Sequence, residues 1–166
     1  MDTNAILSKL DRAAPGMILE KSRFGRSQTL AVWIEAKAIR AIADAASKAD
    51  PFQLNWLENL SIAQVSEAFV VTYLLRSSVS TATLVLRSTI VPASDDAWME
   101  VASVRDIWPM AEGFENDAAE LFGIRFLDSE GRACIPATRL LPEGWPGFPM
   151  RKEYRLAGKK AKENRE

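Results

Sequence analysis

Hydrophobic residues recur at every second position in three consecutive stretches, which is the period of a half-buried β-strand. The apolar members are Phe52, Leu54, Trp56, Leu60 and Ile62, then Phe69, Val71, Tyr73 and Leu75, and finally Leu84, Leu86 and Ile90. Short polar links at residues 66–67 and 77–81 predict that the three strands are joined as antiparallel hairpins.

Upstream, two further strands are predicted at residues 17–23 and 28–34. Helical spacing appears twice, in a short opening helix that Pro15-Gly16 ends and in an alanine-rich helix that Asp50-Pro51 ends. Because the second helix lies between the second and third strands, the pattern predicts an α+β fold. We expect an antiparallel sheet with helices packed on one face.

Downstream, Ser103-x-x-Asp106 is similar to a capping box and predicts a short helical turn, which Pro109 limits. A further helix is predicted at residues 112–122, with Gly123 as its C-cap. Beyond it the chain is rich in proline and glycine. We therefore divide the chain into an α+β domain (1–126), an extended C-terminal docking segment (127–157) and a charged tail expected to be disordered (158–166).

The amino-acid composition excludes several classes of function. The 166 residues include no histidine and one cysteine, Cys134, which excludes the commonest general base and an internal disulfide. One thiolate is too few for an iron–sulfur cluster. Neither a dinucleotide fingerprint nor a phosphate-binding loop is present. The net charge of -1 does not favour a nucleic-acid surface, and the apolar runs are shorter than a membrane helix. The sequence therefore predicts a cytoplasmic protein without catalytic, metal-binding or cofactor-binding residues.

Four carboxylates lie close together on the predicted helix 112–122: Glu112, Glu115, Asp117 and Glu120. They are compatible with an acid/base pair, a solvated face or a docking patch for a basic partner. Like charges at this spacing repel, so a basic group should neutralise them. We expect that group to be Arg125, Arg139 or Arg151, or to come from another protein.

The stretch 140–154 combines aromatic residues, prolines and a final basic pair. Such residue types are enriched in interface cores, and proline lowers the entropy of an extended chain. The segment is therefore expected to lie on a partner, or to fold back over the core of its own domain.

The region from Trp108 to Tyr154 resembles the respiratory-chain NADH dehydrogenase 30 kDa subunit family, which also occurs in membrane-bound energy-converting hydrogenases. The family carries a Trp-Pro, an acidic helix that ends in Phe-Gly-Ile, a Leu-Pro, and a close similar to Pro-Leu-Arg-Lys-Asp-Tyr. In this chain those positions are Trp108-Pro109, Glu115 to Phe122 with Gly123-Ile124, Leu141-Pro142, and Pro149-Met150-Arg151-Lys152-Glu153-Tyr154.

The resemblance implies an α+β scaffold subunit that binds no cofactor and docks on a hydrogenase-like large subunit. It implies iron–sulfur subunits nearby, with clusters and a flavin or nickel–iron centre in those partners. Membrane attachment would be indirect, at the inner face of the cell membrane. The expected interface residues are Trp108, Glu112, Glu115, Asp117, Glu120, Gly123, Leu141, Pro142, Trp145, Phe148, Pro149, Arg151, Lys152 and Tyr154.

The chain departs from the family at several positions. Residues 127–131 replace the usual Gly-His-Pro, Ala137-Thr138 replace an arginine pair, Phe148 stands where histidine is common, and Asn116 stands where arginine is usual. These changes leave open a subunit of a formate- or carbon-monoxide-linked hydrogenase. A small carboxylate-dependent enzyme and an adaptor that binds peptides at a sheet edge are alternatives of other classes.

Overall fold

The computed structural model describes residues 3–26, 28–94, 97–135 and 140–155. The elements in chain order are α1 (Thr3–Ala13), β1 (Ile18–Phe24), β2 (Thr29–Ile34), α2 (Ile39–Ser47), β3 (Trp56–Val65), β4 (Ala68–Arg76), β5 (Thr83–Ile90), β6 (Met99–Ala102), α3 (Ala111–Phe122) and β7 (Ile124–Leu127). The helix 112–122 and the five strands expected from the pattern are confirmed to within a few residues. The predicted tail 158–166 lies outside the described residues.

Five strands form one sheet in the order β1-β2-β5-β4-β3. The α+β class is confirmed, but the sheet is mixed and not wholly antiparallel, because β2 and β5 pair in parallel, with Leu30 opposite Leu84. The crossover through α2 carries the chain back before β3 begins. Since two antiparallel hairpins follow, β5 runs in the same direction as β2. Hairpin signals in the sequence cannot report this non-local pairing.

The core lies on one face of this sheet. Inward side chains of β2, β4 and β5 join apolar residues of all three helices in a single cluster, which confirms helices on one face. In β3 the register shifts between Leu57 and Asn59. This β-bulge moves the buried position from Trp56 to Leu57, so Leu57 is 1% exposed and Trp56 is 50% exposed. The predicted inward position of Trp56 is therefore wrong.

A second sheet, not predicted from the sequence, consists of β6 and β7 in parallel, with Met99 opposite Ile124. Helix α3 lies between the two strands in the chain, and β7 follows it directly after Gly123. After β7 the chain turns back, and Leu127 forms an antiparallel bridge with Ala133. The domain boundary drawn at residue 126 therefore falls inside β7. Within the described ranges, the structure contains no helix long and apolar enough to cross a membrane.

Gly123 ends α3 in the left-handed conformation, with φ 70° and ψ 47°, and the predicted C-cap is thus confirmed. The predicted capping box is wrong. The Ser103 hydroxyl donates to Glu115, and the Asp106 carboxylate pairs with Arg40. The Ser103 hydroxyl oxygen still accepts the backbone N–H of Arg105 at 3.3 Å, but the bond to the N–H of residue 106 that a capping box requires is replaced by these tertiary contacts.

Candidate docking site

Glu115 lies inside the protein on the inner face of α3, with no exposed surface. Its Oε1 accepts the backbone N–H of Val104 at 2.8 Å. Its Oε2 accepts the hydroxyl of Ser103 at 2.8 Å and Nε of Arg105 at 3.0 Å. The carboxylate therefore joins α3 to the turn that follows β6. It is not part of a surface patch in the isolated chain, although Glu115 is among the expected interface residues.

Burial raises the pKa of the Glu115 carboxyl above its ordinary value, although three hydrogen bonds and the charge of Arg105 act in the opposite direction. All the donors around this carboxylate belong to the chain itself. A substrate has no access to it, so the raised pKa reflects burial in a structural network and gives no support to acid/base catalysis.

The other three carboxylates of α3 differ in environment. Glu112 and Asp117 are exposed. Glu120 is half-buried, and its Oε2 accepts the backbone N–H groups of Leu140 and Leu141 at 2.7 and 3.0 Å. The described residues that follow position 139, 140–155, are called the C-terminal segment from here on. The acidic helix binds the start of this segment through the side chain of Glu120.

The residue that neutralises the acidic helix was not predicted. Arg105 pairs with Glu115 at 3.0 Å and approaches Glu112 at 3.9 Å. Arg125 instead lies over the ring of Trp98, 5.1 Å from its centroid. Arg139 lies outside the described residues.

Arg151 anchors the C-terminal segment and is only 5% exposed. Its Nε donates to the carbonyl oxygen of Phe122 at 2.8 Å, and its Nη2 donates to that of Ala97 at 2.7 Å. The guanidinium lies between two rings, 5.4 Å from the centroid of Phe69 and 4.3 Å from that of Phe148. Its guanidinium therefore binds the chain's own helix end and lies between two aromatic rings.

Phe148 and Gly123 pack at this helix end. A Cβ atom on Gly123 would lie 2.5 Å from the Phe148 ring and 2.7 Å from Nη2 of Arg151. Phe148 also meets Trp98 edge to face, with centroids 4.8 Å apart. Glycine is thus required at position 123 both for its positive φ and for the close approach of the segment.

A second contact between the C-terminal segment and the domain begins at Lys152, the residue after Arg151. Gln64 of β3 accepts the backbone N–H of Lys152 at 2.8 Å and donates to the Glu153 carboxylate at 2.7 Å. The backbone N–H of Met150 donates to the carbonyl oxygen of Leu121 at 3.1 Å. The C-terminal segment therefore folds back onto its own domain, one of the two arrangements expected from its composition.

Between this segment and the domain lies an open groove of about 430 Å³. Its lining is mainly aromatic and aliphatic, with Glu120 and Arg125 as charged members. Trp98 and Trp145 remain 44% and 40% exposed, although each has its ring partly covered. The apolar residues that line the groove include Trp98, Ile135, Leu141, Pro142, Trp145 and Phe148.

The remaining expected interface residues are divided between core and surface. Trp108 is 2% exposed and donates its indole N–H to the carbonyl oxygen of Leu54, so it belongs to the core. Pro149 and Tyr154 are half-buried, and Lys152 is exposed. Tyr154 packs near Gly147, where an added Cβ would lie 3.4 Å from its ring.

Three residues of the site were missed in the sequence: Trp98, Arg105 and Gln64. Each contacts a side chain or backbone group of another part of the fold, so no local signal could have identified them. Cys134 lines the groove and is half-buried. No group of three or more acidic or cysteine side chains suited to a metal ion occurs in the described part of the chain.

The fold and site define an α+β domain whose C-terminal segment is folded back to form an exposed apolar groove. A solved structure shares this fold at a TM-score of 0.68 and 20% identity, with 99% of this chain and 92% of the other covered. It is described as the membrane-bound sulfane sulfur reductase, an archaeal respiratory membrane complex.

Residues 32–160 match the family model of the respiratory-chain NADH dehydrogenase 30 kDa subunit. The chain therefore belongs to that family, and the resemblance noted in the sequence is confirmed.

Two curated relatives illustrate the match, and each is the C subunit of an NADH-quinone oxidoreductase. The chain is 28% identical over 159 residues to the relative from a Roseiflexus species, and the match covers 94% of this chain and 86% of that protein. It is 40% identical over 67 residues to the relative from Acidothermus cellulolyticus, a match that covers 40% of this chain and 32% of that protein. The stronger identity is thus confined to a part that spans about a third of the Acidothermus protein.

Proposed function

We propose that this chain is a non-catalytic scaffold subunit of a complex I-like NADH:quinone oxidoreductase. It docks on the hydrogenase-like large subunit of that complex through the groove and the C-terminal segment beside it. Its contribution to electron transfer is mechanical, because it holds cofactor-bearing subunits in register and performs no chemistry itself.

The observation that carries this proposal is the exposed aromatic groove on a segment already fixed to its domain. Trp, Tyr, Phe, Met and Arg dominate the centres of interfaces, whereas scattered exposed apolar residues have no such meaning. Here Trp98, Trp145 and Leu141 surround one depression, and the buried Arg151 holds the segment that shapes it. A partner therefore meets a preformed surface and has little chain to order, which favours affinity.

Charged residues in and beside the groove fix the orientation in which a partner docks. Glu120 and Arg125 both line it, and the exposed Glu112 adds negative charge on the same helix. We propose that these carboxylates meet basic groups of the partners and set the orientation of docking. Glu115, by contrast, acts through the interior by holding α3 in place.

We propose that the iron–sulfur clusters, and the flavin or nickel–iron centre, belong to partner subunits. The donor set of this chain supports this assignment, since it offers no histidine and a single thiol. Attachment to the inner face of the cell membrane is then indirect, through the complex, and the chain itself resides on the cytoplasmic side.

The test is purification of the complex from its native host through a tag on this chain. We expect the large subunit and iron–sulfur subunits to copurify with the wild-type chain. A Trp145→Ala variant should lose most of the large subunit, because a tryptophan at an interface centre is worth about 2 kcal/mol or more. Val79→Ala, which truncates another exposed apolar residue (62% exposed) outside the groove, is the matched control. Equal recovery with both variants would contradict docking through the groove, and the absence of a large subunit from the wild-type preparation would contradict the scaffold function.

A second candidate is the equivalent subunit of an energy-converting hydrogenase. The departures from the family pattern favour it, since Phe148 occupies the histidine position and packs on Gly123 and Trp98 as an apolar member of the groove. Protein identification in the same preparation separates the two, because only the hydrogenase supplies a nickel–iron active site. The carboxylate-dependent enzyme is disfavoured because Glu115 is enclosed by its own hydrogen-bond donors.

A further inference from the structure

We infer that a second surface of this subunit, centred on Trp56, docks a basic segment of a further protein subunit. This surface is a shallow depression of about 480 Å³, lined by Trp56, Leu57, Glu58, Met110, Gly113, Phe114 and Asp117. None of these residues lines the groove. This second surface is therefore separate from the groove, and with both surfaces occupied the subunit links two partners.

The exposure of Trp56 has an identifiable cause. It is the first residue of β3, an edge strand of the sheet, and the β-bulge at Leu57/Asn59 reverses the alternation there. Half of the Trp56 side chain consequently faces outward, while the half-buried Met110 and Phe114 lie beside it. A tryptophan supported by neighbouring apolar side chains is typical of the anchor of an interface.

The rim of this depression is negative. Glu58 pairs with Arg76 at 3.2 Å, but that pair is partly exposed, with 39% and 57% of the two side chains accessible. Asp117 has no ion pair within the ranges that the structure describes. The surface thus combines an apolar centre with acidic groups that the chain itself compensates incompletely.

The negative charge of this surface determines which kind of partner can bind to it. In a symmetric contact with a second copy, the same acidic rim would face itself, which is repulsive. Nucleic acid and anionic lipid are repelled for the same reason. A protein segment that places Lys or Arg beside an apolar side chain satisfies both parts of the surface, because the apolar group covers Trp56 and the cation pairs with Asp117.

The test places a photo-cross-linking phenylalanine analogue at position 56 of the tagged, full-length chain, and activates it in the complex purified from the native host. The same analogue at position 145, in the groove, reports on the proposed function separately. We expect position 56 to cross-link to a peptide of another subunit that contains Lys or Arg within a few residues of the attachment point.

Asp117→Lys should lower the yield of this cross-link about tenfold, the effect of about 1.4 kcal/mol on a binding constant. Asp11→Lys changes an exposed carboxylate on α1 by the same charge, and should leave the yield unchanged. Thermal unfolding of both variants verifies that the fold is retained.

Several outcomes overturn the inference: no cross-link from position 56, a cross-link to a second copy of this chain, a target peptide without basic residues, or equal yields from Asp117→Lys and Asp11→Lys. If position 145 still cross-links to the large subunit, the groove function stands and only the second surface fails. If position 145 gives no such product, the proposed function fails independently.

Discussion

Nη2 of Arg151 donates a 2.7 Å hydrogen bond to the carbonyl oxygen of Ala97, which joins the C-terminal segment to the loop before β6. The same guanidinium reaches the carbonyl end of α3 at Phe122. A cation near the C-terminus of a helix also interacts favourably with the helix dipole. One side chain therefore connects three separate parts of the chain.

Replacing Arg151 by Met should lower the free energy of unfolding by about 3 kcal/mol, because buried carbonyl groups lose a charged donor. Urea denaturation measures this loss. Lys152→Met is the matched control, since the neighbouring side chain is exposed and only its backbone N–H is used. If both variants unfold at the same urea concentration, Arg151 is not the anchor of the segment.

Gly123→Ala should be more destabilising than Gly131→Ala. Both glycines have positive φ, 70° and 77°, so alanine at either position incurs the left-handed conformation, about 1 kcal/mol. Only at position 123 would the new Cβ meet a neighbour, the Phe148 ring, at 2.5 Å, whereas nothing lies within 4 Å at position 131. Thermal unfolding should therefore show a larger drop for Gly123→Ala, together with increased proteolysis of residues 140–155. Equal losses would mean that Phe148 does not pack there.

The pH dependence of stability tests whether the pKa of the Glu115 carboxyl is raised in the folded protein. Burial raises the pKa of this carboxyl in the folded protein above its unfolded value. The folded protein therefore binds the proton more tightly, and this contribution to stability is present below the unfolded pKa and is lost as the pH rises through the folded pKa.

Because glutamine does not ionise, Glu115→Gln should lack this loss, and the stability advantage of the wild type over the variant should shrink as the pH rises. Urea denaturation at a series of pH values from mildly acidic to neutral measures it. An advantage that grows with pH would show that pairing with Arg105 dominates and that the pKa is lowered.

Tyr73→Phe should raise the free energy of unfolding by about 1 kcal/mol, because an unpartnered buried hydroxyl carries a desolvation cost. Tyr73 is 1% exposed, and its hydroxyl has no hydrogen-bond partner among the described residues. Calorimetric unfolding measures the change. Phe69→Leu, on the same face of β4, removes ring volume without removing a hydroxyl and should be destabilising. A destabilised Tyr73→Phe would mean that the hydroxyl has a partner, such as a buried water.

Local pattern was enough to determine most elements of this protein. Period-two alternation identified β4 and β5, helical spacing identified α1 and α2, and Gly123 marked the end of α3, because side-chain direction and backbone sterics are set by neighbours in sequence. The motifs from Trp108 to Tyr154 also determined the family.

Tertiary structure decided the features on which docking depends. The bulge in β3 turned Trp56 outward although its alternation indicated the core. Glu115 is buried where donors of the turn after β6 bind its carboxylate, and Arg151 binds the backbone carbonyls of Phe122 and Ala97. In each case the partner belongs to another part of the fold, as Ala97 does for Arg151, so its position is set only once the sheet, α3 and the C-terminal segment have packed together.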